Sequence, residues 1–254
     1  MWLARGGPPE QPVVVYHYSQ TRGGEYPRSL LNEYTGYVQA DGYRVYSMLA
    51  KEIGFTLVGC WAHARRKFHE ASKAAKKTGA AEVGLKYVAG LYQIERELRA
   101  KKLTPQEFTE QRRAKTEPIL IEFRSWLEDK QNTVVSSTLL GKAVEYTLHE
   151  WDALGRYLDH PEITPDNNGA ENAIRPFVLG RKNWLFSGSP RGAHASCAIY
   201  SLIETAQQTG LDPFAYLNYV FTKAPMIDDD GWDALMPHRL DQTELAAALP
   251  TAMK

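Results

Sequence analysis

Two carboxylates and a set of nearby cations are the residues of this chain best suited to do chemistry. Asp41 closes the strand predicted over GYVQADGY. Open α/β sheets hold ligands at such carboxyl ends, because the chain leaves the sheet there and side chains turn into the crevice. An Asp followed by Gly is equally a common turn pair. Glu171 lies in DNNGAENAIRPF, where Asn168 can cap a helix, Glu171 stands at the capping-box position and Arg175 can pair with it one turn later. Gly169 and Ala170 also keep bulk away from the acid, which suits close approach by a phosphate backbone or a metal. Both readings of each acid stay open at this level.

The cations fall in two places. Cys60 and His63 in CWAHARRKF have half of a zinc-site spacing, but Cys197 is the only other thiol and the second half is missing. His63, Arg65, Arg66 and Lys67 instead crowd a predicted helix start, where they form a solvated face or add to the positive end of the helix in contact with phosphate. The second place is GRKNWLFSGSPRG, which interleaves Arg181, Lys182 and Arg191 with Trp184 and Phe186. Basic groups among aromatics suit backbone pairing with base stacking, although Trp184 and Phe186 could equally anchor a core from a strand or loop. No Asp or Glu occurs from residue 172 to 203 in a chain with 30 acidic and 30 basic residues. That local imbalance favours nucleic acid.

These groups need a scaffold, and 254 residues at 43% hydrophobic content supply one. VVVYHYS, GYVQADGY and GFTLVGCW read as strands, with a short helix over EYPRSLLNEYT and a longer one from AHARRKF, so the first third predicts an α/β fold. Residues 68–160 read as all-helical. Val83, Tyr87, Leu91, Ile94 and Leu98 mark one helix face, and Thr104, Pro105 and Glu107 form a capping box. A second helix is predicted over PILIEFRSWLEDK and a third over STLLGKAVEYTLHEWDALGRYL. Helices follow over AHASCAIYSLIETAQQTG and, after Asp212 and Pro213, over DPFAYLNYVFTK. The sequence thus divides into 1–67, 68–160, 161–225 and a tail over 226–254. Within the tail, residues 228–244 hold Asp228, Asp229, Asp230, Asp233, Asp241 and Glu244 against Arg239. No apolar run approaches the roughly 20 residues that cross a bilayer, and the N-terminus lacks signal-peptide order, which predicts a cytoplasmic protein without a membrane partner.

Taken in order, VQADGYRVY, GCWAHARRKF and DNNGAENAIRPFVLGRKNWLFSGSPRGA resemble the catalytic core of DDE transposases of the insertion sequence 66 family. GWDALMPHRL resembles that family's short C-terminal tail. The resemblance implies a ribonuclease H-like mixed sheet with a large all-helical insertion, acting in bacterial DNA transposition. It implies that Asp41 and Glu171 are the second Asp and the Glu of a carboxylate triad holding two Mg²⁺ or Mn²⁺ ions. Arg175 would orient Glu171. DNA, as transposon ends and target, would meet His63, Arg65, Arg66, Lys67, Asn168, Arg175, Arg181, Lys182, Trp184 and Arg191. A homo-oligomer or a full-length transposase is the implied protein partner, at the nucleoid, and no small-molecule substrate is expected.

The family's first Asp lies on the first and central strand of the sheet, upstream of what MWLARGG resembles, and no Asp precedes Asp41 here. The expectation is therefore a sheet lacking its first strand, in a truncated chain of low stability that is inactive alone. A non-catalytic DNA-binding or interaction module and a nuclease without strand transfer are the alternatives.

Overall fold

The computed structural model describes residues 1–75, 79–184, 187–228 and 230–248, excepting the side chains of Arg181, Trp184, Ala247 and Ala248. In chain order the elements are β1 (Trp2–Gly6), β2 (Val13–His17), α1 (Glu25–Leu30), β3 (Tyr37–Gln39), α2 (Arg44–Ile53), β4 (Thr56–Val58), α3 (Trp61–Ala74), α4 (Ala80–Arg99) and α5 (Pro105–Thr133). There follow α6 (Leu139–His149), α7 (Trp151–Gly155), a 3₁₀ turn (Arg156–Asp159), α8 (Asn168–Trp184), α9 (Pro190–Gln208), α10 (Pro213–Lys223), three short 3₁₀ turns and α11 (Gln242–Ala248). They fall into two compact units, one of residues 27–168 and the other of residues 1–26 with 169–254. Among the described residues no helix is long and apolar enough to cross a membrane.

In the unit of residues 27–168, β3 and β4 run parallel with Tyr37 opposite Thr56 and Gln39 opposite Val58, joined through α2. The pair is only three residues long and continues as Ala40 N–H donating to Val58 O at 3.0 Å. One core joins β4 and α3 to the helices that follow. Val58, Trp61, Phe68, Val88, Leu91, Phe123, Leu127, Leu154 and Tyr157 are all buried in it. α3 presents Trp61, Ala64, Phe68 and Ala71 inward at helical spacing, which leaves Arg65 and Arg66 on its outer side.

α5 departs from the expectation of two helices: it is one helix of 29 residues that passes through Pro118. Proline deletes one backbone donor. The buried stripe of Phe108, Arg112, Thr116, Phe123 and Leu127 spans the position and holds both halves in line. The predicted third helix is instead interrupted at Glu150, whose backbone leaves helical geometry at φ −91° and ψ 6°. The break lets Trp151 meet Trp61 and Phe123 edge-on, each at 6.0 Å between ring centres.

In the other unit, β1 and β2 form an antiparallel hairpin with Leu3 opposite Tyr16 and Arg5 opposite Val14. The outer edge of β2 is covered by α9. Thr205 Oγ1 accepts the Val14 N–H at 3.0 Å and donates to Val14 O at 3.2 Å, while Ser201 Oγ accepts the Tyr16 N–H at 2.8 Å. Hydroxyls one helical turn apart thus satisfy the ladder positions that a further strand would otherwise take. The Tyr16 hydroxyl donates to Ala173 O and ties β2 to α8. Val14, Tyr16, Ala173, Phe177 and Cys197 form the core here, and a second core joins α9, α10 and α11 around Tyr216 and Leu245.

Candidate active site

Asp41 lies two residues past the end of β3 and is exposed. Its backbone carbonyl and its Oδ1 both accept the Tyr43 N–H, at 2.6 and 3.3 Å, in a tight turn ahead of α2. The strand end and the turn are therefore both present. Gly42 lets Tyr146 approach closely, since a Cβ there would stand 3.0 Å from Tyr146 Cε2 and 3.2 Å from its hydroxyl and the ring would have to give way slightly. The Tyr146 phenol is pushed well above its ordinary value, chiefly by burial and then by the Glu150, Cys60 and Asp41 charges, against a Gly42 backbone hydrogen bond. It stays a neutral hydroxyl beneath the Asp41 turn.

β4 ends beside β3, and the chain turns there through Gly59 and Cys60 into α3, so the start of α3 and Asp41 both follow carboxyl ends of the parallel pair. Arg65 and Arg66 are exposed, His63 and Lys67 half-buried, and Lys67 Nζ lies 4.7 Å from the centre of the Tyr146 ring. Burial raises the Cys60 thiol, opposed by backbone hydrogen bonds from Asn167, His63 and Ala62. The thiol is thus held protonated, which disfavours metal ligation by the Cys60–His63 spacing.

The structure corrects the cap expected at Asn168. α8 already includes Asn168, and the side chain that receives its N–H is Asp166, through Oδ1 at 3.0 Å. Asp166 Oδ2 in turn accepts the Tyr92 hydroxyl at 2.6 Å. Sequence reasoning missed both residues, although Asp166 begins a run of three residues that all cap helices well. Glu171 lies in the first turn of α8 and is half-buried.

Beyond Glu171, α8 continues to Trp184, so this residue belongs to a helix and to neither a strand nor a loop. Arg175 and Lys182 are exposed and seven residues apart, hence on one helix face, and Val178 and Leu179 are exposed between them at 51% and 57%. Arg175 Nη1 donates to Asn172 Oδ1 at 3.5 Å. Arg181 and Trp184 contribute backbone to α8, but their side chains lie outside the described part, as does Phe186 entirely. Arg191 is exposed in the first turn of α9, which Ser189 caps by accepting the Gly192 N–H at 3.1 Å.

Asp41 and Glu171 belong to different units, and each is placed only within its own. Their hard oxygen donors suit Mg²⁺ or Mn²⁺. Two carboxylates do not complete a site, and among the described residues no group of three or more His, Cys, Asp or Glu is arranged to hold a metal.

Protonation adds a constraint on the unit that carries Glu171. The His17 ring at the end of β2 stacks on Tyr26 at 3.7 Å and lies 5.8 Å from His194 of α9. Burial, then His194, lowers its pKa from the ordinary 6.5. A histidine that binds its proton less readily when folded contributes stability above pH 6.5 that is lost as pH falls through its folded value. Glu204, raised by burial, has the opposite sign, and its contribution is already lost above the carboxylate range. Urea unfolding at pH 7.5 and pH 5.5, followed by a probe on α9, is expected to show the lower midpoint at pH 5.5, and His17→Phe is expected to narrow the difference.

Comparison with known families follows the same residues. The model for the Transposase IS66 family matches residues 1–195, and that for the IS66 C-terminal element matches residues 201–238. Three curated proteins of Sinorhizobium fredii (strain NBRC 101917 / NGR234), each named only as an uncharacterized protein, are similar. The protein y4jD is 34% identical over 215 residues, covering 82% of this chain and 42% of its own length. The proteins y4hP and y4qI are 30% and 31% identical, covering 84% and 89% of this chain. The chain spans less than half the length of these relatives, 42%, 41% and 43% in turn. No solved structure matches it.

Proposed function

Because the chain belongs to the IS66 transposase family, we propose that it acts on DNA as part of a DDE polynucleotidyl transferase, with Asp41 and Glu171 as two of its metal-holding carboxylates. The observation that carries this reading is the single family match over residues 1–195, which takes in Asp41, the basic start of α3 and Glu171. Mg²⁺ or Mn²⁺, when bound, would stabilise charge on the attacking and leaving oxygens of a phosphodiester. The chain's own residues would grip the DNA. Arg65 and Arg66 on the outer side of α3, and Arg175, Lys182 and Arg191 on α8 and α9, are exposed cations that can pair with phosphates.

The ribonuclease H-like fold is part of the proposal. It is supported by the presence of both kinds of pairing a mixed sheet uses, antiparallel in β1–β2 and parallel in β3–β4. The triad's first Asp has no counterpart before Asp41. Residues 1–254 by themselves, with two acids of the triad, are expected to bind DNA without cutting it, and cutting is expected once a third carboxylate is supplied. The exposed basic and aliphatic face of α8 also favours the second reading, a DNA-binding module in which both acids are structural.

Glu171→Gln separates the two, tested in the chain extended by the upstream region of a longer relative. Metals are worth several kcal/mol to such reactions, so Mn²⁺-dependent cleavage of transposon-end DNA is expected to fall on the order of 100-fold or more. Affinity for the same DNA and its salt slope are expected to stay unchanged. Unaltered cleavage in Glu171→Gln would remove Glu171 from the site. Nicked DNA without joined products would mark a nuclease instead of a transferase.

A further inference from the structure

The helices of residues 80–149 touch both the Asp41 turn and the segment that leads into Glu171. Tyr146, on α6, packs beneath Asp41 and Gly42 so closely that a Cβ at Gly42 would stand 3.0 Å from its ring. Tyr92, on α4, gives its hydroxyl to Asp166 Oδ2 at 2.6 Å, and the other oxygen of that carboxylate receives the N–H of Asn168, the first residue of α8. Between these points Arg112 of α5 pins the incoming chain. Its Nη1 donates to Tyr157 O and His160 O at 2.6 and 3.0 Å, and its Nη2 to Ile163 O at 3.0 Å. Tyr157 is buried in the core of this unit, and Tyr92 and Tyr146 both pack against that core.

Resting on the reading of Asp41 and Glu171 as site carboxylates, we propose that the helical block positions two segments of its own unit, with Tyr146 setting the Asp41 turn and Tyr92, through Asp166, setting Asn168, the first residue of the helix that carries Glu171. Chemistry favours phenols for this task. A hydroxyl can hydrogen-bond to a turn or a carboxylate without bringing a charge of its own, as the Tyr92 hydroxyl does to Asp166 Oδ2. An arginine or lysine in place of Tyr146 would instead put a positive charge beside the Asp41 turn. The aromatic bodies meanwhile stay in the core and fix the hydroxyl positions.

Tyr92→Phe and Tyr146→Phe keep the rings and delete only the hydroxyls. Amide hydrogen exchange on the full chain, read by mass spectrometry without DNA or metal, tests them. Tyr92→Phe is expected to speed exchange over residues 164–171 about tenfold or more, since a hydrogen bond to a charged group is lost. Tyr146→Phe is expected to do the same over residues 40–46. Each should leave the other segment and the interiors of α4, α5 and α6 as in the parent. Asp166→Asn, which keeps the shape but not the charge, is expected to reproduce the Tyr92→Phe pattern. Exchange raised evenly across the block would show a merely structural role and overturn the proposal, and so would unchanged exchange at the named segments. The readout needs no catalysis, so a failed Glu171→Gln cleavage test and a failed exchange test are distinguishable.

Discussion

Arg112→Met is expected to lower the unfolding free energy of the unit of residues 27–168 by about 3–5 kcal/mol, the cost of breaking a buried ion pair by removing one partner. The guanidinium is fully buried, at 0% exposure, and pairs with Glu95 Oε1 at 2.8 Å. Methionine fills much of the volume but leaves the carbonyls of Tyr157, His160 and Ile163 without the donor they share. Glu95 keeps Arg99 at 2.9 Å, so part of its charge stays compensated. Arg112→Lys is expected to recover little, because one ammonium cannot reproduce a planar fork that reaches acceptors on both sides. The urea midpoint of α4–α6 is the measurement, and a shift below about 1 kcal/mol would mean that water replaces the guanidinium cheaply.

Phe123→Ala has an expected cost of similar size, about 3–5 kcal/mol. Phe123 is fully buried and stacks on Tyr87 at 4.7 Å, and Trp61, Phe68, Trp126 and Trp151 lie within 6.1 Å of its ring centre. Removing it opens a cavity lined by five rings that cannot all close over it, and forfeits aromatic pairings worth about 0.5–1.5 kcal/mol each. Trp61 and Phe68 stand on α3, so the same change is expected to loosen the helix that carries Arg65 and Arg66. Thermal unfolding checks the first effect, and the salt slope of DNA binding checks the second.

The parts of this structure legible in the sequence are those fixed by local chemistry. The capping box of Thr104 and Glu107 forms as its spacing requires, with Thr104 N–H donating to Glu107 Oε2 at 2.8 Å. Asp212 and Pro213 likewise open α10, and Gly210 ends α9 at φ +82°. β2, β3 and β4 fall within the β-branched runs that announced them. Where distant packing decides, the sequence is mute or misleading. Pro118 reads as a helix start but is carried through by a buried stripe. Glu150 reads as mid-helix but breaks, because Trp151 has to turn inward.

The candidate site divides in the same way. Asp41 and Glu171 were found by type, spacing and resemblance, and the structure gives each a local setting. Tyr92, Asp166 and Arg112 were not found, because their roles exist only through partners up to 74 residues away. No periodicity reports such a pairing. The exposed row of Arg175, Val178, Leu179 and Lys182 was not found, because the stretch was read for its charges and aromatics, with Trp184 left to a strand or loop, and not for a helical face.

The hydroxyls of Thr205 and Ser201 have a topological effect that outlasts their contribution to folding. With Val14 and Tyr16 already bonded to α9, the outer edge of β2 offers those ladder positions to no further strand, so a helix closes this edge against the strand-to-strand pairing that exposed edges invite.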